Sequence, residues 1–294
     1  MTIKEKLPGL QENVLLAGYT TFKIGGPARY FFVAKNKKDL IRAAKSAGNF
    51  KIPFFILGGG SNVLINDKGF NGLVIKNEAK KFQIKGSKII AESGTILAKV
   101  IKSSINKGLS GLVEGSGIPG TVGGAVYGNA GWPAGKWAIG DLVKEVELLM
   151  PNGRIKKVNK KWLSFNYRES RLKKMKNGKT ILNVIFQLKR GKLKDLKNKQ
   201  RKILEERLQK IPPGFSAGSV FKNPPGKSAG FLIEKCGLKG KRTGDAKISE
   251  KHANFILNLG KAKAEEVREL IKLAKQEVKK KFRIILEEET QYLF

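Results

Sequence analysis

The chain has 294 residues, enough for two or three compact units, and 40% of them are hydrophobic, which suffices for ordinary cores. Its single Cys and single His exclude a disulfide framework and a Cys/His zinc site, and no metal site is predicted. The formal net charge of +35 raises the possibility of nucleic-acid binding. The lysines, however, are spread along the whole sequence, so we expect an acidic small substrate rather than a specific nucleic-acid partner.

The N-terminal residues, MTIKEKLPGL, mix charges and contain no apolar core of signal-peptide length. The one long uncharged stretch, Gly115 to Gly135, is too rich in Gly and Pro for a membrane span. The sequence therefore predicts a soluble, cytoplasmic protein.

The first predicted elements form a βαβ-like unit. A strand at 28–34 precedes Asn36, which is a good N-cap for a helix reaching Ala47 and ended by Gly48. A buried strand at 51–57 then leads into a glycine-rich loop, the position where α/β folds commonly bind ligands.

The middle of the chain is predicted to be α+β, with more strands than helices. Short alternating strands lie within 73–94, after which Thr95 is expected to cap a helix that ends at Gly108. Pro151-Asn152-Gly153 is typical of a hairpin turn, and 181–188 reads as another strand.

The last part is predicted to be a smaller α+β unit. A helix at 194–209 stops at Pro212-Pro213, and a strand at 254–259 follows. The apolar spacing of 264–281 predicts an amphipathic helix, and a final strand is expected at 284–286.

Two glycine motifs stand out as backbone cradles for phosphate. The first is Gly58-Gly59-Gly60-Ser61-Asn62 at the end of a predicted strand, and the second lies in the uncharged stretch at 115–135. Neither is a GxGxxG fingerprint opening a helix or a Walker loop, so the ordinary nucleotide folds are disfavoured. Two cradles in one chain indicate one large, phosphate-bearing ligand.

An ordered series of motifs resembles one known family along nearly the whole chain. The motifs are TTFKIGGPA (20–28), LGGGSNVL (57–64), SGIPGTVGGAV (116–126), NAG (129–131), YRES (167–170), AGSVFKNP (217–224), GLKG (237–240) and KHANF (251–255). Together they resemble the UDP-N-acetylenolpyruvoylglucosamine reductase (MurB) family. Because few residues separate Arg168 from the strand at 181, the chain is similar to the shorter, type II form.

The resemblance implies an α+β fold class, with a two-part FAD-binding unit of the vanillyl-alcohol-oxidase-like (PCMH) type and a smaller C-terminal α+β substrate-binding domain. We expect FAD-binding subdomains at 1–76 and 77–200 and the substrate-binding domain at 201–294. The implied activity is reduction of UDP-N-acetylglucosamine enolpyruvate to UDP-N-acetylmuramate in peptidoglycan precursor synthesis, with noncovalent FAD as cofactor and NADPH as reductant. A monomer is expected.

The resemblance also assigns site residues. The expected FAD-binding residues are Gly58, Gly59, Gly60, Ser61, Asn62, Gly117, Ile118, Pro119, Gly120, Thr121, Gly123 and Gly124. The implied catalytic residues are Arg168 for the substrate carboxylate, Ser219 as proton donor, and Glu289, with Glu287 as the alternative if the register slips by two. Lys222 and Asn223 are expected to bind substrate.

Two other hypotheses remain open at this stage. The chain could be another FAD-dependent oxidoreductase, or a degenerate FAD binder, of the same fold. Its high positive charge also leaves a basic nucleic-acid-binding protein as a less favoured alternative.

Overall fold

The computed structural model describes residues 2–132, 137–175 and 179–294. The end of the predicted glycine segment, 133–135, and part of the interval after Arg168 lie outside the described residues. The helices are α1 Ile3–Lys6, α2 Lys37–Asn49, α3 Leu97–Asn106, α4 Val122–Tyr127, α5 Lys160–Leu163, α6 Arg171–Lys174, α7 Leu193–Lys210, α8 Ala229–Lys235 and α9 Ala264–Phe282. The strands are β1 Gln11–Leu15, β2 Pro27–Ala34, β3 Phe54–Leu57, β4 Val63–Ile65, β5 Phe70–Asn77, β6 Phe82–Lys85, β7 Lys88–Glu92, β8 Leu109–Ser110, β9 Val143–Leu149, β10 Ile155–Asn159, β11 Thr180–Gln187, β12 Lys189–Arg190, β13 Arg242–Thr243, β14 Ala246–Ile248, β15 Ile256–Asn258 and β16 Gln291–Leu293.

The chain folds into two compact units. The first comprises Met1–Glu12, Tyr30–Gly59 and Gly72–Glu206. The second comprises Asn13–Arg29, Gly60–Asn71 and Arg207–Phe294. The domain bounds expected from the sequence, at 76/77 and 200/201, stay predictions.

The first unit is built on two hydrophobic clusters. A five-stranded antiparallel sheet in the order β10-β9-β11-β7-β6 packs its apolar face on α3, through residues such as Val146, Val184 and Ile101. In the sheet ordered β1-β2-β5-β3, strand β3 pairs in parallel with β5 from Phe54↔Leu73 to Leu57↔Lys76. The carboxyl ends of these two strands therefore meet at one edge, which is where the first glycine motif begins.

The second unit combines the C-terminal residues with two short N-terminal segments. Its core contains Phe22, Ile24 and Leu64 together with the apolar face of α9, and a three-stranded sheet has the order β13-β14-β15. Strand β16 pairs in parallel with β4, with Gln291 opposite Val63. A side chain from residue 67 also caps α9, because both Asp67 carboxylate oxygens accept the Ala264 amide, at 3.0 and 2.9 Å.

Several predicted elements agree closely with the structure. Asn36 is the N-cap of α2, and its Oδ1 accepts the Asp39 amide at 2.9 Å. The hairpin predicted at Pro151-Asn152-Gly153 joins β9 to β10. The predicted apolar face of α9 is buried, at Val267, Leu270, Ile271, Ala274 and Val278. No helix in the described ranges has the length and apolar composition needed to cross a membrane.

Other boundaries were wrong for identifiable reasons. Gly48 lies inside α2, and the chain turns instead at Lys51, which takes a positive φ of 54°. Thr95 is not the cap of α3, since its hydroxyl is bonded to the Lys81 carbonyl. The strand expected at 284–286 is absent among the described residues: Ile285 is 73% exposed, and pairing begins only after this segment, with an isolated bridge between Glu288 and Phe221 and then β16.

Candidate active site

The two glycine motifs lie against each other in the first unit. A Cβ on Gly59 would stand 2.7 Å from Gly120 Cα, and one on Gly58 would stand 2.6 Å from Thr121 Oγ1. Gly123 is equally confined, because its Cβ would lie 2.8 Å from that of Ser93. Besides the expected approach of ligand oxygens, close packing of backbone on backbone therefore requires glycine at these positions.

The facing motifs present polar groups that other residues do not use. Within the described ranges, the amides of Gly59, Gly117 and Gly120 donate no hydrogen bond to another residue. The buried hydroxyl of Ser116, which is 2% exposed, also has no hydrogen-bond partner in the described part of the chain. Bare backbone donors around an exposed glycine surface fit the diphosphate of a dinucleotide such as FAD.

The end of the first motif belongs to the second unit and reaches Glu289. The Asn62 side-chain amide donates to the Glu289 carbonyl at 3.3 Å, and the Asn62 carbonyl accepts the Gln291 amide at 3.0 Å. Gly60 has a positive φ of 64° and lies against the Tyr19 carbonyl. Asn62 thus holds the backbone of a predicted catalytic residue in place.

Arg168 occupies a strained turn in the first unit. Asn166 and Glu169 exchange two backbone hydrogen bonds of 3.0 Å, which leaves Arg168 at the third turn position with φ of 55°. Glycine or asparagine is favoured there, because a side chain in the left-handed region is strained. Strain of this kind is often found at functional sites. The guanidinium lies over the Tyr167 ring, 5.3 Å from its centroid.

Hydrogen bonds tie this turn to the residues that follow the second glycine motif. The Asn129 side chain donates to the Asn166 carbonyl at 2.8 Å, and its Oδ1 accepts the Gly140 amide at 3.0 Å. The fully buried Ser170 donates its hydroxyl to the Tyr127 carbonyl at 2.7 Å. The YRES and NAG motifs therefore form one local structure, although about 40 residues separate them in the sequence.

Ser219 lies on an extended segment of the second unit. It bridges Phe255, while the Val220 amide donates to the Asn254 carbonyl at 2.8 Å. Asn254 also exchanges two side-chain hydrogen bonds with the Phe221 backbone, at 2.9 and 2.8 Å. The Ser219 hydroxyl itself bonds to no other residue in the described ranges. Ser219 is thus firmly placed by its backbone while its hydroxyl is not used to hold the fold.

The same extended segment lies beside the C-terminal acidic run. The Lys222 amide donates to the Glu287 carbonyl at 2.8 Å, and the Glu289 amide donates to the Val220 carbonyl at 2.7 Å. The structure therefore brings Ser219, Lys222 and Glu289 into one region of the second unit, while Arg168 belongs to the first. Asn223 uses its side-chain oxygen to accept the Ala229 amide at 3.0 Å, next to the start of α8.

The three glutamates of the acidic run have different surroundings. Glu287 is 70% exposed in its side chain and pairs with the buried ammonium of Lys222 at 3.1 Å. Glu288 accepts hydrogen bonds from Lys275, at 2.7 Å, and from the Tyr292 hydroxyl. Burial alone would raise the pKa of Glu288, but those two hydrogen bonds hold it below its usual value. Glu288 thus connects the acidic run to Lys275 on α9 and to Tyr292 on β16.

His252, the only histidine, serves the fold in this structure. Its Nδ1 accepts the Asn254 amide at 3.2 Å, and its ring packs edge-on against Phe255 at 5.1 Å. Burial lowers its pKa, so the neutral imidazole is favoured. No cluster of three His, Cys, Asp or Glu side chains suited to a metal ion occurs in the described ranges.

Sequence reasoning did not single out three side chains that build this region: Asn129, Asn254 and Glu288. The two asparagines stand inside quoted motifs, but nothing in a motif separates a residue that contacts ligand from one that supports the backbone. Strand alternation places Glu288 on the opposite face from Glu287 and Glu289, but it does not show which residues Glu288 contacts.

Comparison with known proteins first gives the class. An FAD binding domain model matches residues 28–159, the part that contains both glycine motifs. Together with the unpaired amides, this match defines residues 28–159 as the FAD-binding part of a flavoprotein.

Further comparisons cover the remainder of the chain. The model for the C-terminal domain of UDP-N-acetylenolpyruvoylglucosamine reductase matches residues 209–293. The chain is 40% identical over 284 residues to the reductase of that name from Clostridium novyi, covering 96% of this chain and 91% of the relative. It is 45% identical over 282 residues to the one from Caldicellulosiruptor bescii, covering 95% and 88%.

A solved structure agrees with these relatives. The crystal structure of the reductase from Thermus caldophilus matches with a TM-score of 0.84 and 35% identity, over 97% of this chain and 100% of that one. The chain belongs to the UDP-N-acetylenolpyruvoylglucosamine reductase family. The α+β fold class expected from the sequence, an FAD-binding part followed by a smaller C-terminal domain, is confirmed.

Proposed function

We propose that this protein reduces the enolpyruvyl group of UDP-N-acetylglucosamine enolpyruvate to give UDP-N-acetylmuramate, a step of peptidoglycan precursor synthesis. The observation that carries the proposal is the match to reductases at 40 to 45% identity over nearly the whole chain. The enzyme is an oxidoreductase acting on a CH–CH group, with FAD as cofactor and NADPH as reductant. A small acidic substrate also suits the strongly basic chain.

In this proposal the two glycine motifs hold FAD. The amides of Gly59, Gly117 and Gly120 are suited to bind diphosphate oxygens, because they are not otherwise used in the described structure. The remaining residues predicted to bind the cofactor belong to the same two motifs. When bound, FAD would carry hydride from NADPH to the methylene carbon of the enolpyruvyl group.

Residues of the chain must then stabilise the negative charge that develops on the substrate and supply a proton to it. Negative charge develops on the neighbouring carbon and its carboxylate, and Arg168, with a permanently charged planar fork, is suited to bind that carboxylate. Its turn is fixed by Asn129 and Ser170, so the guanidinium needs little reorganisation during the reaction.

Ser219 is proposed to donate the proton to the carbon. A serine hydroxyl is a very weak acid, so the transfer requires a strongly basic acceptor such as a carbanion or enolate. Its hydroxyl bonds to no other residue in the described structure, which leaves it available for this role. Glu289 is proposed to act beside it, and Lys222 and Asn223 to bind substrate.

We further propose that the protein acts as a cytoplasmic monomer without a specific nucleic-acid partner. The spread of its lysines along the chain supports the last point, because a nucleic-acid site normally gathers them on one surface.

The proposal is tested by following flavin absorbance through the two half-reactions without oxygen. NADPH should bleach the flavin of wild type and Ser219→Ala at equal rates. UDP-N-acetylglucosamine enolpyruvate should restore the colour of wild type, and of Ser219→Ala about 10²- to 10⁴-fold more slowly. Ser103→Ala, which removes a helix hydroxyl bonded to no other described residue, is the control.

Two results would contradict the proposal. If the apoprotein cannot be loaded with FAD, the function is wrong. If Ser219→Ala restores colour at the wild-type rate, the function stands and the assignment of the proton donor is wrong.

A further inference from the structure

Lys76, which no motif singled out, lies at the edge of the FAD-binding unit where the first glycine motif begins. It stands opposite Leu57 in the parallel pair β3–β5, near the carboxyl ends of both strands. Its ammonium donates a hydrogen bond of 2.5 Å to the carbonyl of Gly58, the first residue of the motif.

This ammonium forms no ion pair in the described structure, although the charge of Glu78 offsets part of the effect of burial on its pKa. Lys76 is half-buried, and burial lowers the pKa of its ammonium. The acidic residue closest along the chain, Glu78, is paired with Lys80 at 3.2 Å. No carboxylate in the described ranges lies within ion-pair distance of Lys76. A partly desolvated cation whose partner is a neutral carbonyl is costly, unless an anion binds beside it.

We propose that Lys76 binds the diphosphate of FAD. The inference rests on the proposed function, which places FAD on the glycine motifs. The hydrogen bond to the Gly58 carbonyl holds the ammonium at the first glycine motif, and the amides of Gly59, Gly117 and Gly120 in the two facing motifs have no hydrogen-bond partner among the described residues. A lysine ammonium is a common ligand of phosphate, and a glycine loop with unpaired amides is another, so a cation held at such a loop suits a diphosphate.

A purely structural role makes a different prediction. If Lys76 only holds the Gly58 carbonyl, a neutral donor of similar length should replace it. If Lys76 binds the diphosphate, FAD affinity depends on the positive charge, and the affinity for flavins without phosphate should not change when that charge is removed. Variants at this position and ligands with and without the diphosphate therefore separate the two roles.

The experiment titrates apoprotein with FAD and with riboflavin and follows the quenching of flavin fluorescence at several salt concentrations. Lys76→Met and Lys76→Gln should both weaken FAD binding about ten- to hundredfold. Both should leave riboflavin binding unchanged and make FAD affinity less sensitive to salt. Lys76→Arg should stay within a few-fold of wild type. Lys85→Met removes an equal charge from an exposed position on β6 and is the control.

The outcomes are decisive. If Lys76→Gln binds FAD with wild-type affinity, Lys76 does not bind the diphosphate and has a structural role. The same conclusion follows if Lys76→Met loses affinity for FAD and for riboflavin equally. If Lys76→Met does not fold, the comparison of Lys76→Gln with Lys76→Arg decides in the same way. If wild-type apoprotein binds no FAD, the proposed function itself fails, and the role of Lys76 fails with it.

Discussion

Two glycines in the cofactor motifs should respond to alanine in opposite ways. A Cβ on Gly59 would stand 2.7 Å from Gly120 Cα, whereas carbon atoms in contact are normally about 3.5 to 4.0 Å apart. The two loops would have to separate by about 1 Å, and overpacking of this kind costs about 1 to 3 kcal/mol. For a unit of about 150 to 250 residues, each kcal/mol lowers the melting temperature by about 2 to 4 °C. Gly59→Ala should therefore melt about 2 to 12 °C below wild type without any ligand.

Gly124 supplies the matched comparison. It lies in α4 and is exposed, and its Cβ would meet only Thr121 Oγ1 at an ordinary 3.5 Å. Replacing a helical glycine by alanine stabilises by up to about 1 kcal/mol, so Gly124→Ala apoprotein should melt at or slightly above the wild-type temperature. Because we assign Gly124 to the FAD surface, the added methyl group should instead weaken FAD binding.

The assay is thermal unfolding of both apoproteins by circular dichroism, followed by FAD titration of each. An unchanged melting temperature for Gly59→Ala would refute the packing argument, since no flexible side chain is there to move aside. Wild-type FAD affinity in Gly124→Ala would refute its assignment to the cofactor surface.

The acidic run gives two further predictions. Glu288 has a lowered pKa in the folded state, so its stabilisation is present above about pH 4.3 and is lost as the pH falls through the folded-state pKa. The melting temperature of wild type should therefore exceed that of Glu288→Gln near neutral pH, and the difference should shrink as the solution is made progressively more acidic; a difference independent of pH would contradict this. Glu289→Gln should slow the restoration of flavin colour by the sugar nucleotide, whereas Glu287→Gln, at the 70% exposed neighbour, should have a much smaller effect. The reverse order would move the catalytic role to Glu287.

Local signals in the sequence predicted the helices better than their ends. Asn36 was identified as a cap because its side chain can satisfy only a nearby amide, and the apolar spacing of α9 can be buried on only one face. Gly48 was misread because a helix end depends on where the chain can turn, and here Lys51 takes the left-handed conformation. The turn is closed by local hydrogen bonds, from the Lys51 amide to the Gly48 carbonyl at 3.1 Å and from the Ile52 amide to the Ala47 carbonyl at 2.9 Å.

The candidate site was predicted by motif, and its supporting residues were not. Asn129 and Asn254 each hold backbone that lies far away in sequence, and such pairs leave no local pattern. Asn62 was expected only to bind FAD, and its hydrogen bond to the Glu289 carbonyl was not foreseen. The glycines are a second case. A sequence motif shows where a Cβ is absent, but only the structure shows whether protein atoms or a ligand occupy the space that the Cβ would fill. The roles of Arg168, Ser219 and Glu289 stay predictions until the variants are measured.

The division of the chain between the two units also has a consequence for biosynthesis. Residues 13–29 and 60–71 leave the ribosome early, yet their core partners and the α9 amides that bind Asp67 are made about 200 residues later. The second unit therefore cannot be completed during most of translation. Until then, apolar residues such as Phe22 and Leu64 lack the residues they pack against in the finished core. A nascent chain stalled before α9 should keep these segments exposed to chaperones and proteases, so about two fifths of the molecule can reach its final fold only after translation is nearly complete.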